Sequence, residues 1–350
     1  MEFRVISQEK GAYKIADLMC EKYKEYRAEV SGRFMHEAAS AEDYPTVGDY
    51  VTAETGVNPE DIAIISGVLP RKSIFLRKAA GTARNMQAVA ANIDTVFICM
   101  SLNNDFNLRR LERYLAAAWD SGAMPVIVLT KADLCADPAE MEEKVLETEQ
   151  AAIGVDIIRT SVKDGETQGL EAYLKPGKTI AFVGSSGVGK SSLINEITGT
   201  TDFAVNGLRN DDKGRHTTTR RQLVMLPGGC MLIDTPGMRE LGMWDAEAGT
   251  AETFADIEEL AQACSYRNCT HNGEPGCAVR AAIEAGELDE ARLKSYLKLK
   301  AENAYAEDSD SYLAAKEKKF KEIAKINRRR KGRGVRQNFS AEEKLPGQIF

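Results

Sequence analysis

"PVIVLTKADL" (residues 125–134) carries an apolar run into Thr-Lys-Ala-Asp, and "TIAFVGSSGVGKSSLINEITG" (179–199), with a phosphate-binding loop, comes later in the chain. In the usual nucleotide-binding domain the phosphate loop comes first and the base-reading tetrapeptide last. The order here is reversed, and the fold turns on whether the reversal is coincidence or rearrangement.

"GSSGVGKS" (184–191) fits Gly-x-x-x-x-Gly-Lys-Ser in the context such a loop requires, a buried strand before it and an amphipathic helix after it. Gly184, Gly187 and Gly189 let the backbone turn its N–H groups toward phosphates at a helix N-terminus. Lys190 is placed to neutralise the β and γ phosphates and the Ser191 hydroxyl to ligate Mg²⁺; Ser185, Ser186, Val188 and Ser192 complete the expected contacts. This implies a nucleoside triphosphate and leaves the base open. "LIDTPG" (232–237) supplies the other half: Asp234 suits a carboxylate that holds Mg²⁺ through water, and the Gly237 N–H can sense a γ phosphate. Between them "GLRNDDKGRHTTTRRQ" (207–222) is polar and has little to bury, as expected of a loop ordered by phosphate and metal. Thr217 or Thr218 can complete the metal shell, and spacing does not choose between them.

Alone, Thr130-Lys131-Ala132-Asp133 is weak evidence, but it terminates "MPVIVL", which places it at the carboxyl end of a parallel strand, where ligands bind in open α/β sheets. Asp133 can accept hydrogen bonds from guanine's ring N–H and amino group, with Lys131 across the base. "RTSVKDG" (159–165) ends another apolar run and can offer the Ser161 and Val162 backbone N–H groups to the guanine carbonyl. The motifs then follow the usual GTPase order, rotated. A rotation keeps every strand in place if the old chain ends were adjacent. The rejoined ends fall near "GLEAYLKPGKTIAFVG" (169–184).

Around this core, residues 1–72 are short β-type runs broken by turns, which predict a small β-barrel with the OB type as one candidate. "LPRKSIFLRKAAGTARN" (69–85) reads as a basic connector at a boundary. From about residue 93, wholly apolar runs alternate with amphipathic stretches, the pattern of a parallel sheet covered on both faces. Past about 250 the chain turns helical and polar. The predicted division of the 350 residues is a barrel at 1–72, a GTPase domain at 73–243 and a zinc-binding domain with a basic helical tail at 244–350.

Neither an 18-residue apolar stretch nor a signal-peptide core is present, so a cytoplasmic chain without a membrane segment is expected. The net charge of −7 hides an asymmetry, because "KEKKFKEIAKINRRRKGRGVR" (316–336) has eleven basic residues against two glutamates. Such a block is either an electrostatic arm for nucleic acid or a solvated helix end. Seven cysteines fit reduced thiols or metal ligands better than a disulfide framework. Cys264, Cys269, His271 and Cys277 give Cys-x4-Cys-x-His-x5-Cys among Gly, Asn and Pro, which suits a closed, structural Zn²⁺ site. Cys20, Cys99, Cys135 and Cys230 lie in or beside apolar runs and read as core residues, and His36 as a loop residue.

With these motifs in hand, the sequence resembles the circularly permuted GTPases of the ribosome small subunit-dependent GTPase A (RsgA) family. The resemblance covers nearly the whole chain. It is carried by "VLPRKSIFLRKAAG", "AANIDTVFI", the Thr-Lys-Ala-Asp, "GSSGVGKSSLIN", "GRHTTTRR", "LIDTPGMRELG" and "CSYRNCTHNGEPGCAV". It implies an N-terminal OB-fold, a permuted P-loop GTPase domain and a C-terminal helical zinc domain. It also implies a role in late maturation of the bacterial small (30S) ribosomal subunit, with rRNA bound and GTP hydrolysis to GDP stimulated by the subunit. Two departures stand out. "TSVK" replaces the Ser-Ala-Lys of many GTPases, which main-chain contacts should tolerate, and "HEAASAEDYPTVGD" (36–49) is more acidic than an RNA-gripping OB face predicts. The residue after Gly237 is Met238, which cannot orient a water as the Gln of Ras-like enzymes does. Hydrolysis alone should be slow, and His216 is the nearest polar candidate for the catalytic group, a role the resemblance supports. The chain is expected to be a monomer. Two competing readings are a metal-delivery GTPase whose cysteines carry cargo, disfavoured by the closed ligand spacing, and a passive nucleic-acid binder, disfavoured by the intact Lys190, Ser191, Asp234 and Asp133.

Overall fold

The N-terminal runs form strands β1 (Glu2–Glu9), β2 (Ala12–Asp17), β3 (Lys24–Val30), β4 (Tyr50–Glu54) and β5 (Ala63–Val68) in the computed structural model. The structure describes residues 1–9, 11–17, 24–56, 61–78, 86–199, 221–234 and 247–304. His216, Thr217, Thr218, Gly237, Met238, Cys20 and the basic block 316–336 lie outside the described residues, and Asp234 is described in its backbone alone. Alternation drives the strands: in β2, Tyr13 and Ile15 point inward while Lys14 is exposed. Pairing runs β1-β2-β3-β5-β4 and back to β1, with β3–β5 parallel and the other pairs antiparallel, which closes a five-stranded barrel. Phe3, Val5, Tyr13, Ile15, Val51 and Ile65 fill it. A short helix, α1 (Gly32–Glu37), joins β3 toward β4, so His36 is exposed on a helix rather than in a loop. Much of the acidity of 36–49 is structural. Asp43 accepts from the Ala39 and Ser40 N–H groups, and the fully buried Asp49 takes two hydrogen bonds from Arg71 at 2.7 and 2.8 Å.

The segment read as a connector contains a strand. β6 (Ile74–Lys78) pairs with β7 (Met86–Ala91), and Phe75 and Val89 enter the main core. Its basic residues masked the apolar ones in sequence. Beyond it, β8 (Thr95–Ser101), β9 (Met124–Thr130), β10 (Ile157–Arg159), β11 (Thr179–Val183), β12 (Arg221–Met225) and β13 (Met231–Asp234) form a sheet in the order β10-β9-β8-β11-β13-β12. The first five strands in that order are parallel. β12, which the sequence reading did not single out, is antiparallel to β13, so the sheet is mixed. Helices α2 (Leu108–Ser121), α3 (Pro138–Ala151) and α4 (Lys190–Thr198) cover it. Val96, Ile98 and Met100 of β8 join one core and Phe97 and Cys99 another, which is why these strands are apolar throughout. Burial pushes the Cys99 thiol up to about 12 and the Cys230 thiol up to about 11; these two and Cys135 are core residues as expected.

β1 also pairs with β12, antiparallel, so barrel and GTPase sheet are one hydrogen-bonded surface. Arg4 of β1, 2% exposed, donates to the Asn92 carbonyl and to Thr179 Oγ1 across this seam. Past β13 come α5 (Glu247–Thr253), α6 (Ala255–Gln262), α7 (Ala278–Glu284) and α8 (290–304). α5 crosses α2 at Gly249, where a Cβ would come within 1.9 Å of the Ala116 carbonyl oxygen. The docking of α8 is ionic: the fully buried Glu112 of α2 accepts from Arg292 Nη1 at 3.2 Å and Ser295 Oγ at 2.6 Å, and Arg292 makes two further bonds to Asp256. Arg113 pairs with Glu302 through both guanidinium ends. Arg109 Nη1 also donates to Glu112 at 2.5 Å, so Arg292→Ala leaves Glu112 one cation but takes the donor from Asp256 and from the Ala151 and Thr253 carbonyls, and is expected to cost about 2 kcal/mol, measured by urea unfolding. An unchanged midpoint would show that Arg109 alone compensates Glu112.

Candidate functional site

The carboxyl ends of the parallel strands gather the predicted nucleotide residues at one edge. β11 ends in the phosphate loop, where Gly184 has φ 138° and a Cβ would meet the Cys99 carbonyl oxygen at 2.4 Å; only glycine fits between loop and sheet there. Ser186 and Gly187 are exposed at the loop crest, Val188 is buried beneath it, and Ser191 and Ser192 sit half-buried in the first turn of α4. Lys190 is 8% exposed, and its ammonium donates to the Gly184 and Ser185 carbonyls at 2.6 Å each. The lysine is thereby aimed along the loop that would wrap a phosphate.

β9 brings the base-reading tetrapeptide to the same loop. Thr130 Oγ1 donates to the Val188 carbonyl, and Lys131 Nζ donates to the Gly187 carbonyl at 2.6 Å. Lys131 adopts φ 58°, the left-handed turn that lifts its side chain over the loop and starts a short 3-10 turn, Ala132–Leu134. Ala132 is anchored by its N–H to the Thr160 carbonyl at 3.1 Å, tying β9 to the segment after β10. Asp133 lines an open depression of about 700 Å³ shared with Arg159, Asp164 and Gln168, and Ser161 Oγ lies 3.2 Å from its Oδ1. Lys163 Nζ stands 3.9 Å from the other oxygen.

For Ser161 the geometry narrows the expectation. Its N–H donates to the Glu166 carbonyl at 3.0 Å and Glu166 returns the bond at 2.8 Å, a bridge that closes the 161–166 turn. The N–H of Ser161 is therefore committed to the turn, and its buried hydroxyl lies 2.7 Å from Asp164 as well as beside Asp133. Asp105 was not foreseen at all. It follows β8 in "SLNNDFN" (101–107) and accepts from Ser185 Oγ of the phosphate loop at 2.9 Å. A polar Asn-Asn-Asp run directly after a wholly apolar strand, at the ligand edge of the sheet, is the feature that could have flagged it.

Away from this edge, Cys264, Cys269, His271 and Cys277 converge, with one ligand atom from each lying within 4.8 Å of the others. His271 Nδ1 is 3.7 Å from Cys264 Sγ and 3.4 Å from Cys277 Sγ, and the two sulfurs are 3.9 Å apart. A tetrahedral ion with metal–sulfur bonds of about 2.3 Å and a metal–nitrogen bond of about 2.0 Å requires ligand separations of this size. The Arg280 N–H donates to Cys277 Sγ and the Arg280 guanidinium to the His271 carbonyl, which fixes two ligands from outside. The cluster could hold a metal ion.

Fold and site together define a P-loop GTPase whose chain order is circularly permuted: strands of one parallel sheet meet at one edge although the base-reading motif precedes the phosphate loop. A family model described as RsgA GTPase matches residues 68–244, half of the chain, and the chain belongs to the RsgA GTPase family. It is 48% identical over 304 residues to "Small ribosomal subunit biogenesis GTPase RsgA 2" of Lactiplantibacillus plantarum, covering 86% of this chain and 83% of that one. With RsgA 1 of Oceanobacillus iheyensis the identity is 44%, over 85% of each chain. Among solved structures it is similar to YjeQ from Thermotoga maritima, with a TM-score of 0.63 and 29% identity over 87% of this chain and 98% of that one. It is also similar to YloQ, described as a circularly permuted GTPase, with a TM-score of 0.60 and 25% identity over 87% and 94%.

Proposed function

We propose that this GTPase acts in late maturation of the bacterial small (30S) ribosomal subunit, binds its rRNA, and turns over GTP faster when the subunit is present. The observation that carries the reading is the pair of hydrogen bonds from Thr130 and Lys131 to the Val188 and Gly187 carbonyls, which set the base-reading and phosphate-binding motifs side by side. The relatives' names supply the ribosomal context. Asp133 reads the guanine ring N–H and amino group, the Val162 N–H takes the guanine carbonyl, and the loop from Gly184 to Ser192 holds the phosphates. Ser191, Asp234 and either Thr217 or Thr218 would hold Mg²⁺, which neutralises charge on the β and γ phosphates. The Gly237 N–H senses the γ phosphate, and His216 orients the attacking water when the subunit is bound.

The Cys/His cluster holds one structural Zn²⁺, the reading its closed set of three thiolates and an imidazole favours. The domains of this reading are the barrel at 1–72, the GTPase at 73–243 and the zinc domain with its basic tail at 244–350. It works as a cytoplasmic monomer; among the described residues no helix is long and apolar enough to cross a membrane.

Turnover of GTP and ATP, with and without purified small subunits at low and high salt, tests the proposal. Stimulation for GTP alone, lost at high salt, is expected. Unchanged turnover with the subunit would overturn the ribosomal reading. His216→Ala should bind GTP normally and lose the stimulated rate, and full stimulated turnover in that variant would remove His216 from the mechanism.

A further inference from the structure

Ser185 is held from two sides. Its carbonyl accepts from Lys190 Nζ at 2.6 Å, and its hydroxyl donates to Asp105 Oδ2 at 2.9 Å. An ammonium has three N–H donors, so Lys190 can keep both loop carbonyls and still reach a phosphate, and the Asp105 bond is the separate restraint that holds Ser185 by its side chain. Packing does not replace it. Behind Ser185 lies a cavity of about 10 Å³, lined by Cys99, Asn107, Arg110 and Tyr114, about the size of one water.

The support behind Asp105 is rigid. Arg110 Nη2 donates to the Asp105 carboxylate at 2.8 Å and to its carbonyl, and the Asp105 N–H donates to Asn103 Oδ1 at 3.0 Å. Arg110 lies in the first turn of α2, capped by Asn107, and the same helix is pinned from outside through Glu112 and Arg113. Partial burial opposes the charge on Asp105, but the bonds from Arg110 and Ser185 outweigh it and hold the carboxyl below its usual range. Asp105 is therefore an anionic acceptor braced against the phosphate loop by a helix that cannot easily yield.

We propose that Asp105 is a positioning residue of the phosphate loop, fixing Ser185 so that the loop keeps its shape when Lys190 engages the nucleotide. The inference rests on the phosphate loop binding GTP. Affinity of the full chain for a fluorescent GTP analogue tests it, with Asp105→Ala, Ser185→Ala and the double variant compared. One charge-assisted hydrogen bond lost should weaken binding about tenfold in each single variant, and the double variant should lose no more than either, since both remove one bond. Asp105→Asn, which keeps an acceptor for the hydroxyl, should recover part of the loss. Tighter or unchanged binding in Ser185→Ala, or losses that multiply in the double variant, would overturn the proposal. So would an Asp105→Ala variant that melts lower yet binds as before, because that pattern belongs to a brace for α2 alone. Lys190→Ala separates the two readings: normal GTP binding there refutes the pocket itself, whereas lost binding there with normal binding in Asp105→Ala refutes only the role of Asp105.

Discussion

Asp133→Asn is expected to lower GTP affinity about 10³-fold and to shift preference toward xanthosine triphosphate, if Asp133 reads the base as proposed. Guanine presents a ring N–H and an amino group side by side, and a carboxylate accepts from both. An amide offers one oxygen and one NH₂, so one guanine donor faces another donor and is left unpaired. Xanthine carries a carbonyl where guanine carries the amino group, which restores the match to Asn. Asp133 is well placed for this discrimination because its side chain, 13% exposed, lines the open depression, and a base seated there would displace the water that could replace a lost bond. Competition binding with the two triphosphates checks it. Equal loss for both would mean that the substitution disturbs Ser161 and the 161–166 turn rather than the reading of the base.

Removing the zinc proposed for the Cys/His cluster is expected to have the larger effect on structure. Cys277 is buried in the same core as Phe254, Val279, Leu293 and Tyr296, and Cys264 and Cys269 pack against that core. The loop from 264 to 277 has few apolar side chains of its own, and its turns depend on His271 at φ 59° and on Glu274 accepting from the Thr270 and Asn272 N–H groups. Structural zinc contributes about 10–16 kcal/mol of apparent binding energy in small zinc modules, more than such a core can replace. Chelation, or Cys277→Ser, should therefore expose 247–304 to protease and lower the melting temperature, while GTP affinity changes little because the pocket lies on another edge. A metal-free chain as resistant to protease as the loaded one would contradict a structural role.

The sequence alone carried a large part of this. The strands of the barrel, the parallel strands, α2 to α4, the phosphate loop and the four cluster ligands were legible because each rests on local chemistry. A period of two, a wholly apolar run, glycines at left-handed turns and soft ligands at short spacing are all visible within a few residues. The rotated motif order was legible too, since parallel strands put their carboxyl ends together whatever their order along the chain.

What the linear pattern could not supply was contact between distant segments. "SIFLRK" reads as a basic connector until the chain folds and its Phe75 is seen to share a core with Val89. β12 looked like part of a polar loop, and only pairing on both sides, to β13 and β1, makes it the strand that fuses barrel and sheet. The Ser161 N–H was expected at the base and is spent on Glu166, a choice made by the turn's closure. Asp105 meets Ser185 across 80 residues of sequence, and Glu112 meets Arg292 across 180. Sequence by itself determined the class of chemistry, because motifs act through neighbouring atoms; the tertiary structure decided which distant side chains brace that chemistry, because hydrogen bonds and ion pairs depend on separation in space.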